Sequence, residues 1–242
     1  EALRACGAER ESVATTKLRE AVDEVVGIDR GLADTRLEID NLLRALDGRF
    51  VTPGPGQSPE RNPKSVPTGR NMFLLDPREL PTKEAWAIGV QLADELLQKH
   101  HDEHGDWPTK IAFNIRAMNS FRDFGVMEAQ VLWMLGCEPV RDNRGNVVDV
   151  ALVPREKLGR PRIDVFLQGG SRYNDMLADR AKLLDRAVRL AIAQDEPDNR
   201  VRAATQRREA ELRAAGIVAE RAEVLAKARM FGGPPGGANA SY

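Results

Sequence analysis

The chain lacks the features that define several large classes of protein. It has two cysteines in 242 residues, Cys6 and Cys137, and their separation matches no zinc or redox spacing. This excludes a disulfide scaffold and favours a reducing compartment, by default the cytoplasm. No apolar run approaches the roughly 18 to 20 residues that cross a bilayer, so we expect no membrane span. The formal net charge of -1 creates no overall field for nucleic acid, so we expect no nucleic-acid partner.

Two phosphate-binding signatures are also absent. The chain has neither the dinucleotide glycine fingerprint nor the Walker loop, and we expect it to bind ATP by neither route. Its first residues, Glu1-Ala2-Leu3-Arg4, contain neither an initiator methionine nor a signal peptide. We therefore expect a piece of a longer protein.

Strand and helix patterns alternate in the middle of the chain. Lys110–Ile115, Val147–Val153 and Ile163–Leu167 are short apolar runs bounded by turn residues, which is typical of strands. A helix that is apolar nearly all round follows the first run, at Val126–Leu135, and an amphipathic helix follows the last. The alternation predicts an α/β fold: a mainly parallel sheet with helices on both faces, flanked by N-terminal and C-terminal helices.

Composition divides the chain into five segments. Gly27 and Gly31 predict a break between two N-terminal helices, and Thr35 with Glu38 has the capping-box spacing that starts the second helix. Thr82 is expected to cap a later helix. The predicted segments are a helical part (1–50), an extended Pro/Gly-rich connection (51–82), the α/β core (83–195), C-terminal helices (196–230) and a flexible Gly/Pro tail (231–242).

Two polar loops, Ala117–Gly125 and Gln168–Asp175, follow strands of the predicted sheet and are the candidate ligand site. Loops at the carboxyl ends of neighbouring parallel strands form a crevice in which ligands bind. Amide, hydroxyl and guanidinium groups suit an anionic or polar ligand, glycines permit close backbone approach, and a tyrosine ring can stack on a flat molecule. The same composition also suits ordinary loops with helix caps, and the sequence leaves that alternative open. The candidate substrate-binding residues are Asn119, Ser120, Arg122, Gly169, Gly170, Arg172, Tyr173 and Asp175.

Two other polar clusters have plainer explanations. His100, His101 and His104 could ligate a metal on one helix face, but at a helix end before Gly105 a solvated, frayed terminus is favoured, and no metal ligand is assigned. Arg160-Pro161-Arg162 could clamp a carboxylate. Because it leads directly into a strand, it is interpreted as setting the entry angle and pairing with backbone or acidic groups.

Several separate sequence segments resemble segments that occur in the same order in the large subunit of cobaltochelatase and the related H subunit of magnesium chelatase. The resemblance runs from about Leu37 to the C-terminus. It is carried by Glu38–Phe50, Pro67–Asn71, Leu75–Pro77, Gly125–Gln130, Glu156–Val165 and Asp195–Asn199. It implies a subunit that binds a tetrapyrrole and inserts a divalent metal, cobalt or magnesium, while separate AAA+ motor subunits hydrolyse ATP. The segment itself would then bind no cofactor, which agrees with the missing Walker loop.

A chelatase must hold the carboxylate or amide rim of the macrocycle, strip water from the metal and accept two pyrrole protons. The two loops can supply the rim clamps, but no base stands out, so the catalytic residues are unassigned. The resemblance implies a His-Gly-x-x-Glu stretch near the metal chemistry, and this chain has none. The leading hypothesis is an internal segment of a cobaltochelatase-like subunit that is inactive by itself.

The two loops depart from the family pattern, whereas the sequence segments that carry the resemblance keep it. Arg116–Arg122 stands where Trp-Ser-x-Glu-Thr-x-Arg is usual, so Asn119 replaces a carboxylate by an amide that cannot act as a base. Ser171 and Asn174 replace a usual Gly and Arg before Asp175, and the C-terminal tail lacks the usual Gly-x-Tyr-Gly pattern. These departures favour the alternative hypothesis, a non-catalytic tetrapyrrole-binding or assembly module derived from the chelatase scaffold.

Overall fold

The structure is a computed structural model that describes residues 13–59, 62–73 and 75–233. The chain divides into two compact units, the first ending at Asp76 and the second beginning at Pro77. The expectations for Cys6, for the first four residues and for the tail beyond Gly233 concern residues outside the described ranges.

The described part of the first unit contains two helices, α1 (Val13–Ala33) and α2 (Arg36–Leu46). The predicted break at Gly27 and Gly31 is wrong, because α1 runs through both glycines. A Cβ at Gly31 would lie 2.7 Å from the Cβ of Val66, so this glycine permits close packing and does not end the helix.

The rest of the first unit has short regular pieces. They are β1 (Gly54–Pro55), a 3-10 turn (Pro63–Ser65) and β2 (Asn71–Phe73). β1 and β2 are parallel neighbours, and the Asn62 side chain accepts a hydrogen bond from the N–H of Lys64 at the start of the 3-10 turn. Backbone pairing and asparagine side chains thus order a segment that is poor in apolar residues.

The second unit contains the predicted α/β core, preceded by a 3-10 turn at Pro77–Glu79. Its helices are α3 (Lys83–His104), α4 (Ala117–Arg122), α5 (Val126–Met134), α6 (Arg155–Leu158), α7 (Ser171–Met176), α8 (Ala178–Ala193), α9 (Arg200–Ala214) and α10 (Ala219–Lys227). Its strands are β3 (Lys110–Ile115), β4 (Cys137–Arg141), β5 (Val147–Leu152), β6 (Asp164–Gly169) and β7 (Met230–Phe231).

Three parallel strands form the central sheet in the order β3-β6-β7. β3 and β6 pair along their whole length, from Lys110 opposite Asp164 to Ile115 opposite Gly169. β4 and β5 form a separate antiparallel hairpin. The α/β class and the parallel sheet are therefore confirmed, and no helix among the described residues is both long and apolar enough to span a membrane.

α5 lies at the centre of the core, where it packs on α3 and contacts β3 and β6. Thr82 caps α3 as predicted, since its hydroxyl accepts a hydrogen bond from the N–H of Ala85 at 3.3 Å. The α3–α5 approach is close because Gly89 and Ala129 have minimal side chains where the two helices meet. The position of α5 is thereby fixed against both the helix layer and the sheet.

The helices cover the sheet unevenly. Helix α9 packs on β6, but a row of alternate side chains remains exposed on the three parallel strands. Phe166 of β6 and Phe231 of β7 stack there with ring centroids 5.1 Å apart. The exposed side chains are Lys110, Ala112, Asn114, Phe166, Gln168 and Phe231.

Candidate functional site

The carboxyl ends of β3 and β6 hold the two candidate segments at one edge of the sheet. Ile115 and Gly169 are register partners in the last pair of the two strands. The chain then turns directly into α4 after β3 and into α7 after β6, and these two helices contact each other. Both segments are thus largely helical, where irregular loops were expected. The structure nevertheless brings them together.

Two of the predicted contact residues point into the protein. Tyr173 is 0% exposed and Ser120 is 1% exposed. The Tyr173 hydroxyl donates to Glu128 Oε1 at 2.9 Å, and the Ser120 hydroxyl donates to the same oxygen at 2.5 Å. The buried tyrosine ring has no free face, so the stacking on a flat ligand that was expected of it is not available.

Glu128 on α5 joins these elements and was missed by the sequence reasoning. Its side chain is buried, and its second carboxyl oxygen, Oε2, is buried without a hydrogen-bond partner in the described part of the chain. Burial raises the pKa of this carboxyl, although the hydrogen bonds from Ser120 and Tyr173 act in the opposite direction. Burial thus disfavours the charged form of this carboxyl relative to a carboxyl in water. The signal that could have identified it is the single charged residue within a mostly apolar helix.

The other candidates lie closer to solvent. Arg122, Gly170, Arg172 and Asp175 are exposed, Asn119 is half-buried, and Gly169 is buried at the end of β6. The guanidinium of Arg122 donates to the Asn119 side-chain oxygen at 3.3 Å, which orients the pair. 

Further charges lie beside these candidates. Arg116, immediately before α4, is also exposed. Asp123 accepts hydrogen bonds from the N–H groups of Gly125 and Val126, and partial burial raises the pKa of its carboxyl. The sheet edge thus presents guanidinium groups from both α4 and α7, with Asp175 as an exposed carboxylate.

The arginines before β6 serve the scaffold. Arg162 is 1% exposed, and its guanidinium donates to the Glu196 carboxylate. Its other acceptors are the backbone carbonyls of Leu135, Gly136 and Val153. Arg160 donates to the carbonyl of Trp133 at 2.7 Å and lies over the indole ring. These contacts agree with the interpretation that the arginines fix the entry into β6.

Neither the histidines nor a separate groove forms a competing site. The C-terminal end of α3 carries His100 and His104, whose rings stack with centroids 4.3 Å apart. Within the ranges that the structure describes, no three His, Cys, Asp or Glu side chains are arranged to hold a metal ion. A groove of about 580 Å³ is lined by β5 and α8, but its charges pair with each other, as in the Arg186–Asp149 contact. It contains none of the predicted site residues.

Known proteins resemble this chain over most of its length. The sequence model of the CobN/magnesium chelatase family matches residues 3–241. The chain is 41% identical over 178 residues to the magnesium-chelatase subunit ChlH of Oryza sativa subsp. japonica, covering 72% of this chain and 13% of that protein. It is 40% identical over 207 residues to the aerobic cobaltochelatase subunit CobN of Pseudomonas aeruginosa, covering 82% of this chain and 16% of that protein.

A solved structure is also similar. The catalytic subunit of cobaltochelatase from Mycobacterium tuberculosis superposes with a TM-score of 0.71 at 38% sequence identity, covering 97% of this chain and 20% of that chain. The present chain thus spans only a small part, 13% to 20%, of the length of these three relatives.

Proposed function

Because the chain belongs to the CobN/magnesium chelatase family, we propose that it is the part of a chelatase large subunit that presents α4 and α7 to a tetrapyrrole. In this proposal the longer protein inserts a divalent metal, cobalt or magnesium, into a corrinoid or porphyrin in the cytoplasm. Separate AAA+ subunits supply ATP hydrolysis, and this segment alone has no insertion activity. The metal is cargo, not a resident cofactor.

The observation that carries the proposal is the pairing of β3 with β6 up to Ile115 and Gly169. The helices that follow these two strands, α4 and α7, contact each other, and they carry Arg122 and Arg172 respectively. The rim of a tetrapyrrole carries carboxylates or amides at several positions, and a guanidinium binds a carboxylate through two parallel hydrogen bonds. Two arginines from different helices can therefore hold two points of the same rim.

Asn119 and Gly170 fit the same chemistry. The amide of Asn119 both donates and accepts hydrogen bonds, so it suits rim carboxylates and rim amides alike. Its contact with Arg122 keeps the two groups in a fixed relation. Gly170 is exposed between β6 and α7, where the absence of a side chain leaves room for a ligand near the backbone.

A second candidate function is a tetrapyrrole-binding or assembly module without insertion chemistry. One observation favours it: Asn119 contributes an amide beside Arg122, where a carboxylate would be able to accept pyrrole protons. Reading the gene on both sides of this segment separates the two candidates. A His-Gly-x-x-Glu stretch upstream, with genes for motor subunits nearby, supports the enzyme, and their absence supports the module.

Titration with a metal-free corrinoid and with protoporphyrin IX tests the proposed site. We expect saturable binding of one macrocycle, followed by its absorbance and by tryptophan quenching. Arg122→Ala and Arg172→Ala should each weaken that binding about 10-fold to 100-fold, since each removes a charge-assisted hydrogen bond of roughly 1.5 to 3 kcal/mol. Arg144→Ala, at an exposed arginine in the β4–β5 turn, is the matched control. Unchanged affinity in both site variants, or an equal loss in the control, rejects the site.

A further inference from the structure

One carboxyl oxygen connects three helices beneath the candidate site. Oε1 of Glu128, on α5, accepts the hydroxyl hydrogen of Ser120 from α4 and that of Tyr173 from α7, at 2.5 and 2.9 Å. The two donors are separated from Glu128 by 8 and 45 residues in sequence. The contact is therefore tertiary and joins the segments that follow β3 and β6.

The two helices that it joins are short and have few other side-chain contacts, among them the hydrogen bond that Asn174 of α7 donates to the carbonyl of Gly233 at 3.1 Å. α4 and α7 are six residues each, and helices of this length are not stable by themselves, so tertiary contacts determine their positions. α4 buries Ala117, Ser120 and Phe121. Tyr173 is the one buried residue of α7. Among the side chains of α7, Tyr173 is thus the one that anchors the helix in the core, and its hydroxyl is held by Glu128.

The same helices carry the exposed groups of the proposed site. Arg122 lies two residues after Ser120, and Arg172 lies one residue before Tyr173; both arginines are exposed. α5 in turn is fixed by close packing against α3 through Gly89 and Ala129. A single buried acceptor on a fixed helix is therefore placed to align two otherwise weakly held helices with each other.

We propose that Glu128 is a positioning residue: by accepting both hydroxyls it holds α4 and α7 in one arrangement and so sets the separation of Arg122 and Arg172. The coupling of the two helices follows from the contacts alone. Its consequence for a macrocycle rests on the proposed function. Glu128 itself touches no ligand, because it is enclosed by the core.

Three variants at this cluster test the proposal. Glu128→Leu removes the acceptor, whereas Glu128→Gln keeps an oxygen that can accept both hydroxyls. Ser120→Ala combined with Tyr173→Phe removes both donors without altering α5, and replaces the first variant if Glu128→Leu does not fold. Val150→Ala, a buried change in the β4–β5 hairpin, controls for general loss of stability. Amide hydrogen exchange and protoporphyrin IX and corrinoid affinity are measured for each protein.

Glu128→Leu, or the double variant, should accelerate exchange at least 10-fold at the amides of Asn119, Ser120 and Tyr173, beyond any change in Val150→Ala. The affinity for the bound macrocycle should fall at least 10-fold, and Glu128→Gln should restore both quantities. Exchange in α4 and α7 that matches the control overturns the coupling. Faster exchange with no macrocycle binding by the parent chain leaves the coupling standing and rejects the proposed function instead. Failure of Glu128→Gln to restore slow exchange also overturns the proposal.

Discussion

At the scale of single residues, burial decides what a polar side chain near a strand end can do. Ser120 and Arg122 lie two positions apart on α4, yet the first is enclosed and the second is exposed. Tyr173 and Arg172 differ in the same way on α7. Sequence patterns located these positions correctly at the end of strands. They did not show which side chains turn inward, because the acceptor that draws Ser120 and Tyr173 inward is on a third element.

Removing the Tyr173 hydroxyl should destabilise the chain. Tyr173→Phe leaves Glu128 with one donor in place of two, and loss of a buried hydrogen bond costs roughly 1 to 3 kcal/mol of unfolding free energy. Urea denaturation followed by circular dichroism measures the change. Arg172→Ala, at the exposed neighbouring position, should stay within about 0.5 kcal/mol of the parent. Equal stability of the phenylalanine variant and the parent would contradict the hydrogen bond.

Glu128→Gln should become relatively more stabilising as the pH rises. Burial raises the pKa of Glu128 in the folded chain, whereas in the unfolded chain the carboxyl returns to its ordinary value near 4.5. The contribution of the neutral acid to the free energy of unfolding is therefore fully present below pH 4.5. It is lost as the pH rises through the folded-state pKa. The amide does not ionise. Urea denaturation between pH 4 and pH 8 should show the stability of the variant, relative to the parent, increasing with pH.

Asp142→Asn provides a control in which the pH dependence of stability has the opposite sign. The hydrogen bond from the Asn146 side chain lowers the pKa of the Asp142 carboxyl, so its stabilising contribution is present above the ordinary value and is lost as the pH falls. The variant should be less stable than the parent at neutral pH, with the difference disappearing in acid. If the stability of both variants, relative to the parent, changed with pH in the same direction, the raised pKa of Glu128 would be contradicted.

At the scale of elements, several features that depend on neighbouring residues were predicted correctly, whereas a feature that depends on pairing with distant residues was missed. β3, β6 and the Thr82 cap of α3 could be predicted, because an apolar strand and a hydroxyl cap depend on neighbouring residues. β4 was missed since Pro139 and two charged residues interrupt its pattern. Met230 and Phe231 were predicted as a helix end and a flexible tail, but they form β7 by pairing with β6, whose sequence is far away.

Glycines in helices show the same dependence on distant residues. The predicted capping box at Thr35 and Glu38 is absent: Thr35 makes no side-chain cap, because it has helical backbone angles and a capping side chain requires non-helical ones. Gly27 has no atom within 4 Å of the position that a Cβ would take, whereas at Gly89 the Cβ would lie 2.5 Å from that of Ala129. Only the second glycine is required by packing.

Alanine at these two glycines should therefore act in opposite directions. Gly89→Ala forces α3 away from α5 and should lower the free energy of unfolding by about 1 to 3 kcal/mol, the usual cost of overpacking. Gly27→Ala adds a methyl group in open space within α1 and should raise the helical stability by about 0.5 to 1 kcal/mol. Thermal unfolding measured by circular dichroism checks both. A neutral Gly89→Ala would show that the helices tolerate a wider separation.

At the scale of the whole molecule, the exposed side of the parallel sheet is the unusual feature. Parallel sheets normally have both faces covered, yet Phe166 is 38% exposed and Phe231 is 46% exposed on this one. The two rings are adjacent to the small side chain of Ala112, opposite Phe166 in the register. We expect an exposed apolar surface of this kind to promote self-association of the chain.

Serine at both phenylalanines should reduce self-association. We expect the Phe166→Ser, Phe231→Ser double variant to shift the sedimentation velocity distribution of the chain towards monomer. The unfolding free energy should change by only about 1 kcal/mol, since one cross-strand aromatic pair is lost. Val218→Ser, at an isolated valine that is 70% exposed, should leave the distribution unchanged. An unchanged distribution in the double variant would mean that this surface takes no part in association.

The shared acceptor at Glu128 also constrains how this chain can be engineered. Asn119, Arg122 and Arg172 form an outer set that can be randomised in a library, because their side chains are exposed or half-buried. Ser120, Glu128 and Tyr173 form an inner set with one oxygen in common, so a change that removes this acceptor affects both donors. A graft that takes α7 from a relative but leaves α4 and α5 behind would transfer position 172 without the hydrogen bonds that align it with α4.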